Sequence, residues 1–203
     1  IRQLWPGPLS STMLLNTHMS TSPVRIGFVG VGSMGQMAHL RNYAAIPGCQ
    51  VVAIAELRET TAQRVAQRYA VPRVYRDHAE MLSTEKLDGI VCTQPFTRHG
   101  VLIPELLKAG VPVLTEKPLA ASVQVGERLA QAMRDSGTFY MVAYHKRSDP
   151  ATIYAKAEIE RLKQTGELGK LRYVRITMPP GDWIASGFNE LINAGEPYPQ
   201  LQQ

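Results

Sequence analysis

Between Val24 and Tyr144 the apolar positions fall into two alternating patterns. Short continuous runs, "VRIGFV" (24–29), "QVVAIA" (50–55), "DGIVCT" (88–93), "PVLT" (112–115) and "FYMVAY" (139–144), show no polar face. Runs of that kind fit strands buried on both sides. The stretches between them, 34–46, 59–70, 98–109 and 123–134, read as helices, the second rich in Ala, Gln and Arg. Pro47-Gly48 stops the first and Gly110 the third. Asp77 followed by Glu80 has the spacing of a capping box and predicts a short helix to about Leu82. Strands alternating with helices predict an α/β fold, a Rossmann-type doubly wound parallel sheet.

The pattern changes after Tyr144. Asp149-Pro150 opens a helix to about Gln164, since Asp suits the cap and Pro the first helical position, and Thr165-Gly166 ends it. "LRYVRITM" (171–178) then alternates polar and apolar residues, which predicts an antiparallel strand with one wet face. Residues 1–22 show no such order and read as a disordered leader. The pattern divides the chain into the leader, a parallel α/β domain over 23–147, and the start of an α+β antiparallel-sheet domain over 148–203.

Composition narrows the partners. With 203 residues, 44% hydrophobic and 19% charged, the chain matches a globular protein able to bury a core without staples. The net charge of +5 is spread out, and Glu158, Glu160 and Glu167 interrupt its densest basic stretch, so no nucleic-acid surface is expected. No apolar run approaches the ~20 residues of a membrane helix. Cys49 and Cys92 have no metal or redox spacing and suit a reduced, cytoplasmic protein. No metal site is predicted.

The glycine cluster "GFVGVGSMG" supplies the first candidate chemistry. Gly30, Gly32 and Gly35 have the G-x-G-x-x-G spacing directly between a predicted strand and a predicted helix. Gly30 permits the tight turn, Gly32 lets main chain approach a diphosphate, and Gly35 lets helix and strand pack closely. Bare amides of the turn, through Ser33 and Met34, and the helix dipole then favour an anion. Glu56 ends the second strand, 21 positions after Gly35, where a carboxylate can accept hydrogen bonds from a ribose diol. Its charge repels a 2′-phosphate and favours NAD; Arg58 turned inward would pair with that phosphate and favour NADP.

Ligands of an open parallel sheet bind at the carboxyl ends of its strands. Thr93, Pro95, Glu116 and Lys117 all lie just past such ends and are expected to line the same crevice. With the glycine loop upstream, "TQPFTRHGVLIPELLKAGVPVLTEKPLA" (93–120) resembles the glucose-fructose oxidoreductase/inositol dehydrogenase family (Gfo/Idh/MocA), as does "YHKRSDPA" (144–151). The resemblance spans about 24–180. It implies an NAD(P)-dependent oxidoreductase moving a hydride between nicotinamide and a sugar, inositol or related polyol, in a homo-oligomer. Glu116 would contact the nicotinamide end, and Lys117, with Lys117–Pro118 cis, would bind the substrate hydroxyl and act as the catalytic group. Phe96 and His99 would fall among the cofactor residues, with a neutral, structural imidazole expected at a helix start. His145 and Arg147, near the domain junction, are the further substrate candidates. Cys92 is expected in the core.

Two departures stand beside the resemblance. Gln94 and Phe96 flank Pro95 where the family carries Thr and Asn. No Asp in the chain has a His four residues later, so the family's Asp-x-x-x-His element is missing. A non-catalytic dinucleotide-binding regulator is the alternative reading, and a truncated chain is expected to turn over slowly or not at all.

Overall fold

A computed structural model describes residues 22–177, 181 and 187–200. Six parallel strands form one sheet in the order β3-β2-β1-β4-β5-β6. They are β1 (Val24–Val29), β2 (Cys49–Ala55), β3 (Arg73–Tyr75), β4 (Gly89–Cys92), β5 (Val113–Thr115) and β6 (Tyr140–Val142). The helices are α1 over 33–43, α2 (Glu59–Arg68), α3 (His78–Thr84), α4 (His99–Leu107), α5 (Val123–Ser136) and α6 (Pro150–Thr165). Wound as a π-helix over Gly35–Leu40, α1 tightens to α-helical geometry over Arg41–Tyr43. The strand order reverses between β1 and β4, which makes that gap the switch point where such sheets bind ligands.

Register aligns the strand ends that matter. Val29 pairs with Ala55 on one side and Cys92 on the other, Cys92 pairs with Thr115, and Thr115 with Val142. The turns after β1, β2, β4 and β5 therefore open onto one rim. Two apolar clusters fill the interior, one including Phe28, Leu40, Ile54 and Val65, the other Met81, Ile90, Leu102, Leu106 and Leu129. Each such fully buried side chain contributes roughly 1.5–3 kcal/mol, which makes the rim a rigid platform. Phe28 and Tyr43 meet edge to face at 5.7 Å and tie α1 to the sheet.

The predicted caps form. Asp77 accepts a hydrogen bond from the Glu80 amide at 2.9 Å, and Asp149 from the Ala151 amide at 2.9 Å. Gly110 and Gly166 take positive φ where the helices stop. Three differences from the sequence reading have physical causes. The strand β3 was not expected, because Arg73, Val74 and Tyr75 form an edge too short to show a period. The first helix ends at Tyr43, and 44–48 form turns.

The antiparallel strand expected over 171–178 is absent from 171–177, and Met178 lies outside the described residues. A strand needs a partner's ladder to satisfy its amides, and among the described residues none pairs with this stretch. Leu171, Tyr173, Val174 and Ile176 accordingly stay 62–78% exposed. Of the expected leader, only Ser22 falls within the described residues. No described helix is long and apolar enough to cross a membrane.

Candidate functional site

The turn after β1 is braced from both neighbouring strands. The Gly30 amide donates to Ala55 O at 2.8 Å, and the Thr93 hydroxyl donates to Gly30 O at 2.7 Å. Gly30 has φ +88°, and a Cβ there would lie 2.3 Å from Gln94 Nε2. A Cβ on Gly35 would lie 2.5 Å from Thr93 Oγ1 and 3.0 Å from Gly30 O. At Gly32 a Cβ would meet nothing within 4 Å. Gly30 and Gly35 are thus required by close packing, whereas Gly32 faces open space. That open face at the start of α1 is the room a diphosphate needs, so the residues present fit the group.

Around this turn, Gly30, Gly32, Ser33, Met34, Glu56, Arg58, Thr93, Pro95 and Glu116 line one cleft with Gln94 and Tyr198. Nine residues singled out from the sequence therefore come together. Lys117 stands exposed directly after Glu116, and the Lys117–Pro118 bond is cis. Gly35 lies beneath the turn. Phe96 begins a short 3-10 turn, Phe96–Arg98, with its side chain outside the cleft wall. His145 and Arg147 sit in another such turn, His145–Ser148; both are exposed, and the Arg147 guanidinium lies 5.8 Å from the Tyr144 ring centre.

Glu56 is 3% exposed and heavily bonded. Its Oε2 accepts the Val31 amide at 3.0 Å and Arg58 Nη2 at 2.9 Å, and its Oε1 accepts Arg58 N at 3.1 Å and Nε at 2.9 Å. Burial alone would raise its carboxyl pKa, but the hydrogen bonds from Arg58 and Val31 outweigh it and hold the group below the ordinary value. Arg58 does turn inward, as the sequence allowed, and its partner here is Glu56.

His99 is fully buried at the start of α4, and its Nδ1 lies 3.0 Å from Leu119 O, a donor contact that fixes this tautomer. Burial pushes its pKa down, which agrees with a neutral imidazole. It holds the loop after Lys117-Pro118 and does not reach the cleft wall. Burial likewise pushes the Cys92 thiol up to about 12, so it is an inert core group.

Two contributors escaped the sequence reading. His39 Nε2 lies 2.7 Å from Glu116 Oε1, while Glu116 Oε2 accepts the Lys117 amide at 3.2 Å. His39 follows Gly35 by four residues and so shares its helix face, a signal that was available. Tyr198 closes the cleft opposite, its hydroxyl hydrogen-bonded to Gln94 Oε1 and its ring centre 5.4 Å from the Arg58 guanidinium. No local pattern announces that contact.

Residues 24–144 match the oxidoreductase family with an NAD-binding Rossmann fold. Among curated relatives, the chain is 27% identical over 153 residues to scyllo-inositol 2-dehydrogenase (NAD(+)) of Bacillus subtilis, covering 75% of this chain and 43% of that protein. It is 31% identical over 137 residues to inositol 2-dehydrogenase of Rubrobacter xylanophilus, covering 67% and 39%. Among solved structures, myo-inositol 2-dehydrogenase from Lactobacillus plantarum superposes with a TM-score of 0.65 at 25% identity, covering 75% of this chain and 44% of that one. The chain thus spans under half the length of these relatives. With the glycine turn, the carboxylate ending β2 and the Glu-Lys-Pro element on one rim, it belongs to the Gfo/Idh/MocA oxidoreductase family, through that family's NAD-binding Rossmann domain.

Proposed function

We propose that residues 23–147 are the dinucleotide-binding domain of an NAD-dependent oxidoreductase acting on a CH–OH group of a sugar, inositol or related polyol. Residues 148–203 begin its substrate and assembly domain. The observation that carries this reading is the cleft itself. An anion-accepting turn with its open face at Gly32, a carboxylate at the end of β2 and an amine at the end of β5 lie along one rim. The names of the relatives, inositol dehydrogenases, support the polyol class.

A bound nicotinamide dinucleotide supplies the hydride acceptor. The chain's part is positioning. Amides at the start of α1 and the open face at Gly32 take the diphosphate. Glu56 takes the ribose hydroxyls, and its charge disfavours a 2′-phosphate, so NAD is the preferred form over NADP. His39 and the Lys117 amide hold the two oxygens of Glu116, which orients the turn bearing Lys117. Lys117 Nζ would hold the substrate hydroxyl and, as the free amine, take up its proton while the carbon-bound hydrogen leaves as hydride. Two unpaired cysteines suit the reducing cytoplasm, where we place the protein.

The test separates binding from chemistry. Lys117→Met is expected to leave NADH affinity within about twofold while removing polyol-dependent NAD reduction. A chain that binds NADH but reduces no NAD with any inositol or sugar, even when joined to a substrate domain from a relative, would instead be a dinucleotide-binding regulator.

A further inference from the structure

Residues 187–200 run across α1, α2 and the rim of the sheet. Gln36 brackets Ile192, donating to its carbonyl at 2.9 Å and accepting its amide at 3.0 Å. Arg68 donates to the Glu190 carbonyl and carboxylate, both at 2.7 Å. The Glu196 carboxylate accepts the Thr60 amide at 3.0 Å, the Thr61 amide at 2.8 Å and the Thr61 hydroxyl at 2.9 Å. Tyr198 then bridges Arg58, beyond β2, and Gln94, beyond β4. That bridge passes over the end of β1, between the two loops that flank the ribose carboxylate and the switch point.

The consequence falls on Glu56. An ionised carboxylate offers about four acceptor directions, and Glu56 receives one bond from Val31 and three from Arg58. No direction is left for a sugar diol. Arg58 must release Glu56 before a ribose can bind there, and Tyr198 lies over Arg58. Glu196 pins the segment to the start of α2, two residues from Arg58, while Tyr198 meets Arg58 itself, and Arg58 holds the carboxylate the cofactor needs.

Given the dinucleotide reading above, we propose that residues 187–200 are a strap that holds the adenosine end of the cleft shut, with Glu196 and Tyr198 as its latch, and that the dinucleotide displaces it. Closed chains cannot bind, so the apparent affinity is the open-state affinity reduced by the fraction of chains that are open. Weakening the latch raises that fraction and tightens cofactor binding.

The experiment uses the full 203-residue chain, NADH as the probe, and the variants Glu196→Gln, Tyr198→Ala and their combination. Losing latch hydrogen bonds of ordinary net strength is expected to tighten NADH binding by about threefold or more. Hydrogen exchange on the unmodified chain is the second readout, and amides of 187–200 are expected to exchange faster once NADH is added. Weaker NADH binding in the variants, or slower exchange of 187–200 with NADH, would overturn the strap, since the segment would then be a wall of the bound site. If every folded chain, variant or not, gives no NADH binding, the dinucleotide reading itself fails and the strap with it.

Discussion

His39 Nε2 lies 2.7 Å from Glu116 Oε1, joining the helix that follows the glycine turn to the end of β5. Both side chains are mostly shielded, 12% and 16% exposed. The contact couples the glycine-turn end of the cleft to the turn that carries Lys117. A hydrogen bond of this kind is worth about 1 kcal/mol net. In a cycle of His39→Ala and Glu116→Ala, chemical denaturation should show a coupling of about 0.5–1.5 kcal/mol. Strict additivity would mean that the two ends are independent.

The glycines of the turn should separate fold from function. Gly32→Ala adds a methyl group where nothing lies within 4 Å, so the melting temperature should stay unchanged while NADH affinity drops about tenfold or more. Gly35→Ala forces its methyl against Thr93 Oγ1 and the Gly30 carbonyl, and should cost about 1–3 kcal/mol of stability. Thermal melts and NADH titrations of both variants check the contrast, and equal behaviour would contradict it.

Glu56 should give the fold an acid-sensitive component. Its folded pKa lies below the unfolded value because the Arg58 and Val31 bonds overcome the effect of burial. The stability it contributes is therefore present above the ordinary carboxylate pKa, about 4.3, and is lost as pH falls through the folded value. Glu56→Gln should cost about 2–3 kcal/mol at neutral pH, because it leaves Arg58 half-buried without its counter-charge. The penalty should shrink below pH about 4. A penalty that does not change with pH would show that the carboxylate is not the stabilising form.

His99 should act at milder acidity. Burial depresses its folded pKa, so below about 6.5 the unfolded chain takes up a proton that the folded chain refuses. Stability should decline as pH falls from that value toward the folded pKa and level off beneath it. Proton NMR of the imidazole should find it titrating below the ordinary histidine value. A titration at or above the ordinary histidine value would contradict the buried neutral ring.

The alternation of strands and helices, the glycine turn and the Glu-Lys-Pro element were legible because each is written in neighbouring residues. Their convergence on one rim followed from the rule for open parallel sheets. Contacts made at long separation were not legible. His39 meets Glu116 across 77 positions, and Gln36 meets Ile192 across 156. Nothing in the local pattern around Gln36 or Tyr198 distinguishes either from a surface residue. The stretch 171–177 misled for a related reason. Alternation of apolar and polar residues reports two unlike faces, but a strand also requires a partner edge, which the described residues do not supply.

Calorimetric titration of NADH into the folded chain and into Gly32→Ala measures most directly whether the glycine turn holds a diphosphate. The account predicts saturable one-to-one heat for the unmodified chain and a loss of about tenfold or more in affinity for the variant. Absent heat in the unmodified chain, or the same affinity in both, would contradict it.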